Sequence, residues 1–98
     1  MIDYKAKANI DMGTILRIEF LEKYGISYNY LAHQLRVGNN RISEIVSGKR
    51  AITADTDVRL CKFFRLKSGY FLHKLVDLQL KYAQEELQDK IKPIKNFS

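Results

Sequence analysis

A single cysteine, Cys61, a single proline, Pro93, and no tryptophan mark what this 98-residue chain does without. One cysteine excludes an internal disulfide and fits a reducing cytoplasm. One proline, close to the C-terminus, and five glycines leave long stretches open to regular structure. No apolar run approaches the roughly 20 residues of a membrane-spanning helix. The opening "MIDYKAKANI" also lacks the apolar centre of a signal peptide. A cytoplasmic protein with no membrane partner is therefore expected. Acidic side chains are scarce too: eleven Asp and Glu face seventeen Lys and Arg, for a formal net charge of +6. That balance suits a polyanionic partner, and it equally suits plain solubility.

Groups that could do chemistry are few and scattered. His33 falls on the outer face of a short helix, and His73 sits beside Lys74 in a long one. Cys61 is flanked by Leu60 and Phe63 at helical spacing, the setting of a buried, inert thiol. One cysteine and two distant histidines form no metal-ligand pattern, and no glycine-rich loop cradles a phosphate. The pair Glu85–Glu86 reads as a solvated helix face. The chain reads as non-enzymatic, without a metal or cofactor.

What is present is helical. With 46% apolar and 29% charged residues the composition is that of one soluble globular domain. No segment sustains a two-residue alternation, and no repeat or internal linker interrupts the chain. Residues 1–11 are polar and aperiodic and read as a flexible N-terminal arm. A first helix follows in "TILRIEFLEKYG", with Ile15, Leu16, Ile18, Phe20 and Leu21 on its apolar face, Thr14 as its cap and Gly25 as its stop. Ser27 caps a second helix, "YNYLAHQLR", whose Leu31, Ala32 and Leu35 point to the core. After a short "VG" turn, a third helix runs from about Asn39 to Ser47 with Ile42, Ile45 and Val46 inward.

Thr53 caps a fourth helix, "ADTDVRLCKFF", with Asp55 and Asp57 where the helix dipole favours negative charge. Val58, Leu60, Cys61, Phe63 and Phe64 form its apolar side. Ser68 is placed to cap a fifth, long helix that ends before Pro93. The fold class is all-α with five helices: a domain over 12–90 and a basic tail over 91–98.

The stretch "VGNNRISEIVSGKRAIT", residues 37–53, concentrates the polar chemistry. Two short helices joined by a tight turn match the helix-turn-helix arrangement, whose second helix enters the DNA major groove with its N-terminal residues at base edges. Asn39, Asn40, Arg41 and Glu44 lie opposite the inward Ile42, Ile45 and Val46. Asparagine pairs with adenine N6 and N7, arginine forks onto guanine O6 and N7, and glutamate accepts from cytosine N4. Ser43 is small enough to permit close approach or touch a base. Lys49, Arg50 and the Tyr28 hydroxyl are placed for the sugar–phosphate backbone. An ordinary solvent face would carry such residues as well. Between residues 36 and 67 the chain holds Arg36, Arg41, Lys49, Arg50, Arg59, Lys62, Arg65 and Lys67 against Glu44, Asp55 and Asp57.

The fifth helix carries two apolar stripes. Phe71, Leu75, Leu78 and Tyr82 are enough to close the core of a small bundle. Leu72, Val76, Leu80, Ala83 and Leu87 are a surplus that suggests a homodimer interface, unless the helix is sunk between others. Two recognition helices about one DNA turn apart would read a palindrome.

From about Met12 to Leu72 the chain resembles the HigA-type antitoxins, also called virulence-associated protein I, of the lambda-repressor-like (XRE) helix-turn-helix family. The resemblance rests on "GTILRIEFLEKYGIS" and above all on "NRISEIVSGKRAITADTDVRLCKFF". It implies a lambda-repressor-like five-helix domain that binds operator DNA as a homodimer and represses its own operon. It further implies neutralisation of a RelE-like, mRNA-cleaving ribonuclease toxin. On matching positions Asn39, Asn40, Arg41 and Glu44 would be the groove-facing readers, with Ser47, Lys49 and Arg50 on the phosphate side. The chain departs from the pattern at Gly38, where relatives commonly place a capping serine or threonine, and at Tyr28, where many have glutamine. "DMG" also stands for a commoner "HPG", and Ser68–Gly69 for a Ser-Pro start. A stand-alone repressor without a toxin and a helical interaction module that has lost DNA binding are the competing readings. Arg41, Lys49 and Arg50 speak against the second of these.

Overall fold

The computed structural model describes residues 3–95, and among them there is helix but no strand. The first helix, α1 (Tyr4–Ile15), begins well before the expected start. The Asp3 carboxylate accepts from the Lys5 amide at 3.1 Å and caps it. The expected arm over 1–11 is thus corrected: all but its first three residues lie in α1, and Met1 and Ile2 are outside the described residues. Only a narrow column, Ala8 and Met12, is buried from this helix with Gly13 beside them, too thin a stripe to show as periodicity. Tertiary contact holds it instead. The Tyr82 hydroxyl donates to the Asp11 carboxylate, and Lys7 Nζ lies 5.5 Å from the centre of the Tyr82 ring.

The same rod continues without a break as a π-helical segment (Leu16–Glu22). Its wider turn brings Leu16, Phe20 and Leu21, at i, i+4 and i+5, onto the core and leaves the expected core residue Ile18 about half exposed. Arg17 and Glu22, five apart, pair along it. Thr14 is inside the helix rather than at its cap, its hydroxyl donating to the Ile10 carbonyl. The rod stops at Gly25 as expected. Counted with this segment as one rod, the five expected helices are present.

The second, α2 (Tyr28–Leu35), starts at Ser27, whose hydroxyl accepts from the Tyr30 amide. The third, α3 (Asn39–Val46), buries Ile42 and Ile45. The fourth, α4 (Ala54–Phe64), is capped by Thr53 and buries Leu60 and Cys61, whereas Val58 faces outward rather than into the core. The last, α5 (Tyr70–Leu87), lies along α1 and α4. Residues 91–95 form no helix, and the rest of the expected basic tail lies outside the described residues.

Met12, Leu16, Leu21, Leu31, Ile42, Ile45, Leu60, Phe71 and Leu75 make one continuous core, with Phe20 edge-on to Phe71. Two details hold its frame. A Cβ at Gly13 would stand 2.4 Å from the Ile45 and Val46 carbonyl oxygens, so only glycine lets α1 close onto the last turn of α3. At the other corner, α5 starts at Gly69, which has no side chain to cap it. Asp57 does so from α4. Its buried carboxylate accepts from the Gly69 amide at 2.6 Å and from the Phe71 and Leu72 amides at 2.9 Å each. Ser68, expected in that role, lies in the turn before it. The reason is geometric: three helix-end amides converge on one group delivered across the core, twelve and more residues away in sequence.

A candidate nucleic-acid interface

The turn between α2 and α3 spans 36–38, one residue longer than the "VG" of the sequence reading. Arg36 takes the left-handed conformation at φ 60°. Its amide donates to the His33 carbonyl and that of Val37 to the Ala32 carbonyl, closing α2 in the manner usually reserved for glycine. A side chain in this conformation costs on the order of 1 kcal/mol. Gly38 then starts α3 with no side-chain cap, leaving its first amides uncovered.

Burial of Ile42 and Ile45 sets how α3 is rotated. Asn39 and Asn40 stand exposed at its N-terminal end, and Ser43, Glu44 and Ser47 continue the outward face from Asn40 at helical spacing. Ser43 donates to the Asn40 carbonyl and Ser47 to the Glu44 carbonyl, both at 3.1 Å, and each hydroxyl oxygen can still accept. The loop 47–53 folds back on the end of α3. The Lys49 and Arg50 amides both donate to the Glu44 carbonyl, at 2.8 and 3.2 Å. Gly48 makes that possible at φ +82°, a conformation that L side chains rarely adopt. Ile52 is buried and pins the loop, while the Lys49 side chain stays exposed. Tyr28, first residue of α2, packs part of its ring against the core.

Two of the candidate readers do not stand alone. Arg50 donates from Nε to Glu44 Oε1 at 2.9 Å, and its Nη2 lies 2.8 Å from the same oxygen. Arg41 is turned toward α4, where its Nη1 lies 3.0 Å from Asp55 Oδ2. The same oxygen accepts from Arg59 Nε at 3.0 Å, and Arg59 Nη1 donates to the Leu35 carbonyl at 2.8 Å. The hydrogen bond from Arg59 above all, with the charge of Arg59 and then the bond and charge of Arg41, holds the Asp55 carboxyl below the usual aspartate range.

Asp55 and Arg59 are the members of this surface that the sequence reading missed. Their i, i+4 spacing was a visible signal, but the approach of Arg41 across fourteen residues was not. The expected surplus stripe of α5 is present as a surface. Val76, Leu80 and Leu87 are 41%, 53% and 47% exposed, with Leu72 and Ala83 half-buried beside them. Cys61 is buried with its Sγ toward Asp57, and His33 and His73 are exposed. Among the described residues no helix is long and apolar enough to cross a membrane.

Comparison with known proteins places the fold in a family. The helix-turn-helix family model HTH_3 matches residues 18–71. Virulence-associated protein I of Dichelobacter nodosus is 40% identical over 79 residues, covering 81% of this chain and 73% of that protein. The Pseudomonas aeruginosa antitoxin HigA, solved with the higBA promoter, superposes with a TM-score of 0.76 at 30% identity, over 85% of this chain and 95% of that one. An addiction module antidote protein of the HigA family from Coxiella burnetii reaches 0.68 at 33% identity, over 85% and 95% of the two chains. The chain belongs to the lambda-repressor-like, XRE-type helix-turn-helix family that includes virulence-associated protein I and the HigA antitoxins.

Proposed function

We propose that this protein is the DNA-binding antitoxin of a type II toxin–antitoxin system. It represses its own operon as a dimer and neutralises a RelE-like, mRNA-cleaving toxin. The observation that carries the reading is the N-terminal end of α3. Two exposed asparagines and helix-end amides that no side chain caps stand there, with the half-buried Arg41 guanidinium at their flank toward α4, on a chain similar to an antitoxin solved with its promoter.

In this reading Asn39, Asn40, Arg41, Ser43 and Glu44 face the base edges, and Tyr28, Ser47, Lys49 and Arg50 meet the phosphates. The pair between Glu44 and Arg50 is compatible with both roles. It occupies one carboxylate oxygen of Glu44 and leaves the other for a cytosine amino group, while Arg50 keeps Nη1 for a phosphate. The exposed stripe of α5 joins two copies so that their α3 helices fall one DNA turn, roughly 34 Å, apart.

Growth separates this reading from that of a stand-alone repressor. The gene adjacent to this one is expressed in a bacterial host alone and then together with this protein. Arrest by the neighbour, relieved by co-expression through a complex that survives purification, is the expected result. A harmless neighbour would leave a repressor without a toxin.

A further inference from the structure

We propose that Asp55 is a positioning residue for sequence reading: its carboxylate fixes the Arg41 guanidinium in one orientation and so sets the base preference at the position Arg41 meets. The proposal rests on the DNA-binding reading above and adds to it a residue outside the recognition helix. Arg41 is a long side chain near the start of α3, and unrestrained it would sample many rotamers over the groove. Asp55 Oδ2 holds it by Nη1 and is itself held by Arg59 Nε. Arg59 is in turn anchored to the Leu35 carbonyl at the end of α2.

One carboxylate oxygen therefore ties together both helices of the motif and the helix that follows. The rotamer freedom of Arg41 is lost on folding rather than on binding. The pair uses only one corner of the guanidinium. Its Nε and Nη2 remain as a two-donor edge, the fork that guanine O6 and N7 accept. The negative charge of Asp55 would by itself repel a phosphate backbone, but two guanidiniums neutralise it, so its presence at this surface is compatible with DNA. A free Arg41 would still attract DNA, with less regard for which base it meets.

The experiment is selection of binding sites from a randomised duplex pool, followed by affinities of the selected duplex and its single-base variants over a range of salt. The wild type, Asp55→Ala, Asp55→Asn and Arg41→Ala proteins are compared, with urea melts to establish that each is folded. The wild type is expected to discriminate at one position by about tenfold or more, and Arg41→Ala to lose that discrimination. Asp55→Ala should cut it to about twofold while binding unrelated duplexes as well as or better than the wild type, with a steeper salt dependence. Asp55→Asn, which keeps an oxygen acceptor, should recover part of it.

An Asp55→Ala protein that weakens on every sequence alike, its preference intact, would show a brace and overturn the proposal. So would one indistinguishable from the wild type. Loss of preference in Arg41→Ala alone leaves DNA reading standing and removes Asp55 from it. A wild type that selects no sequence at all overturns both readings.

Discussion

At the scale of single residues, the ionic groups divide by what holds them. Arg41 is oriented by a partner and Lys49 is exposed, so the two should fail differently. Arg41→Ala is expected to cost roughly 1–3 kcal/mol at one operator position and relax specificity there. Lys49→Ala should weaken binding to every duplex and lower the salt slope by about one. Fluorescence anisotropy at several salt concentrations distinguishes them.

Asp55 adds a pH dependence whose sign follows from its lowered carboxyl. A group whose folded-state value is depressed stabilises fully above the unfolded value, about 4, and that contribution fades as pH falls through the folded value. The clasp on Arg41 therefore holds throughout the neutral range and opens only in acid. Its exposure keeps its contribution to stability small. Replacing Arg59 with Gln should move the Asp55 carboxyl back up toward the usual range, followed by NMR titration. An unmoved carboxyl would contradict the assignment of Arg59 as its main partner.

At the scale of elements, two long-range contacts decide how the helices meet. Asp57 satisfies three amides at the start of α5 from inside the core. Asp57→Ala strands them, and a loss of about 3 kcal/mol is expected, since each buried donor left unpaired is costly. For a chain of this size that is a fall in Tm of roughly 15 °C, read by calorimetry. The contact of α1 with α3 is equally exacting. Alanine at Gly13 would press its Cβ against two carbonyl oxygens of the recognition helix. Backbone cannot step aside as a side chain can, so a cost of about 2–3 kcal/mol is expected in urea denaturation. Operator affinity should fall with it, because α3 itself must shift.

At the scale of the molecule, the outer face of α5 is the largest apolar feature left for a partner to cover on that helix. Val76, Leu80 and Leu87 place a row of large apolar side chains in water on the face of α5 opposite the buried Phe71 and Leu75. A second copy, seated on the same row about a two-fold axis, would cover it and pair two α3 helices. Leu80→Glu should then yield monomers in sizing chromatography coupled to light scattering. Operator affinity should drop by orders of magnitude while the monomer melts as a folded domain. Dimers that persist would place the interface elsewhere.

The sequence by itself determined most of the local structure. Ser27 and Thr53 announced their helices because a cap is a contact between near neighbours, and Ile42 and Ile45 set the rotation of α3 because helical periodicity is local too. The outward position of Asn39 and Asn40 followed from that rotation. Only the tertiary structure decided what acts across the chain. Residues 4–15 are helical because α5 and α3 supply surfaces for a stripe too narrow to be read alone. Asp57, legible only as an acid in the first turn of α4, caps a helix that begins thirteen residues further on. Arg41, which the sequence offered only as a candidate reader, pairs across fourteen residues with an Asp55 oxygen that Arg59 shares. Propensities and periods are written in neighbouring residues; which distant polar groups meet depends on how the packed helices bring them together.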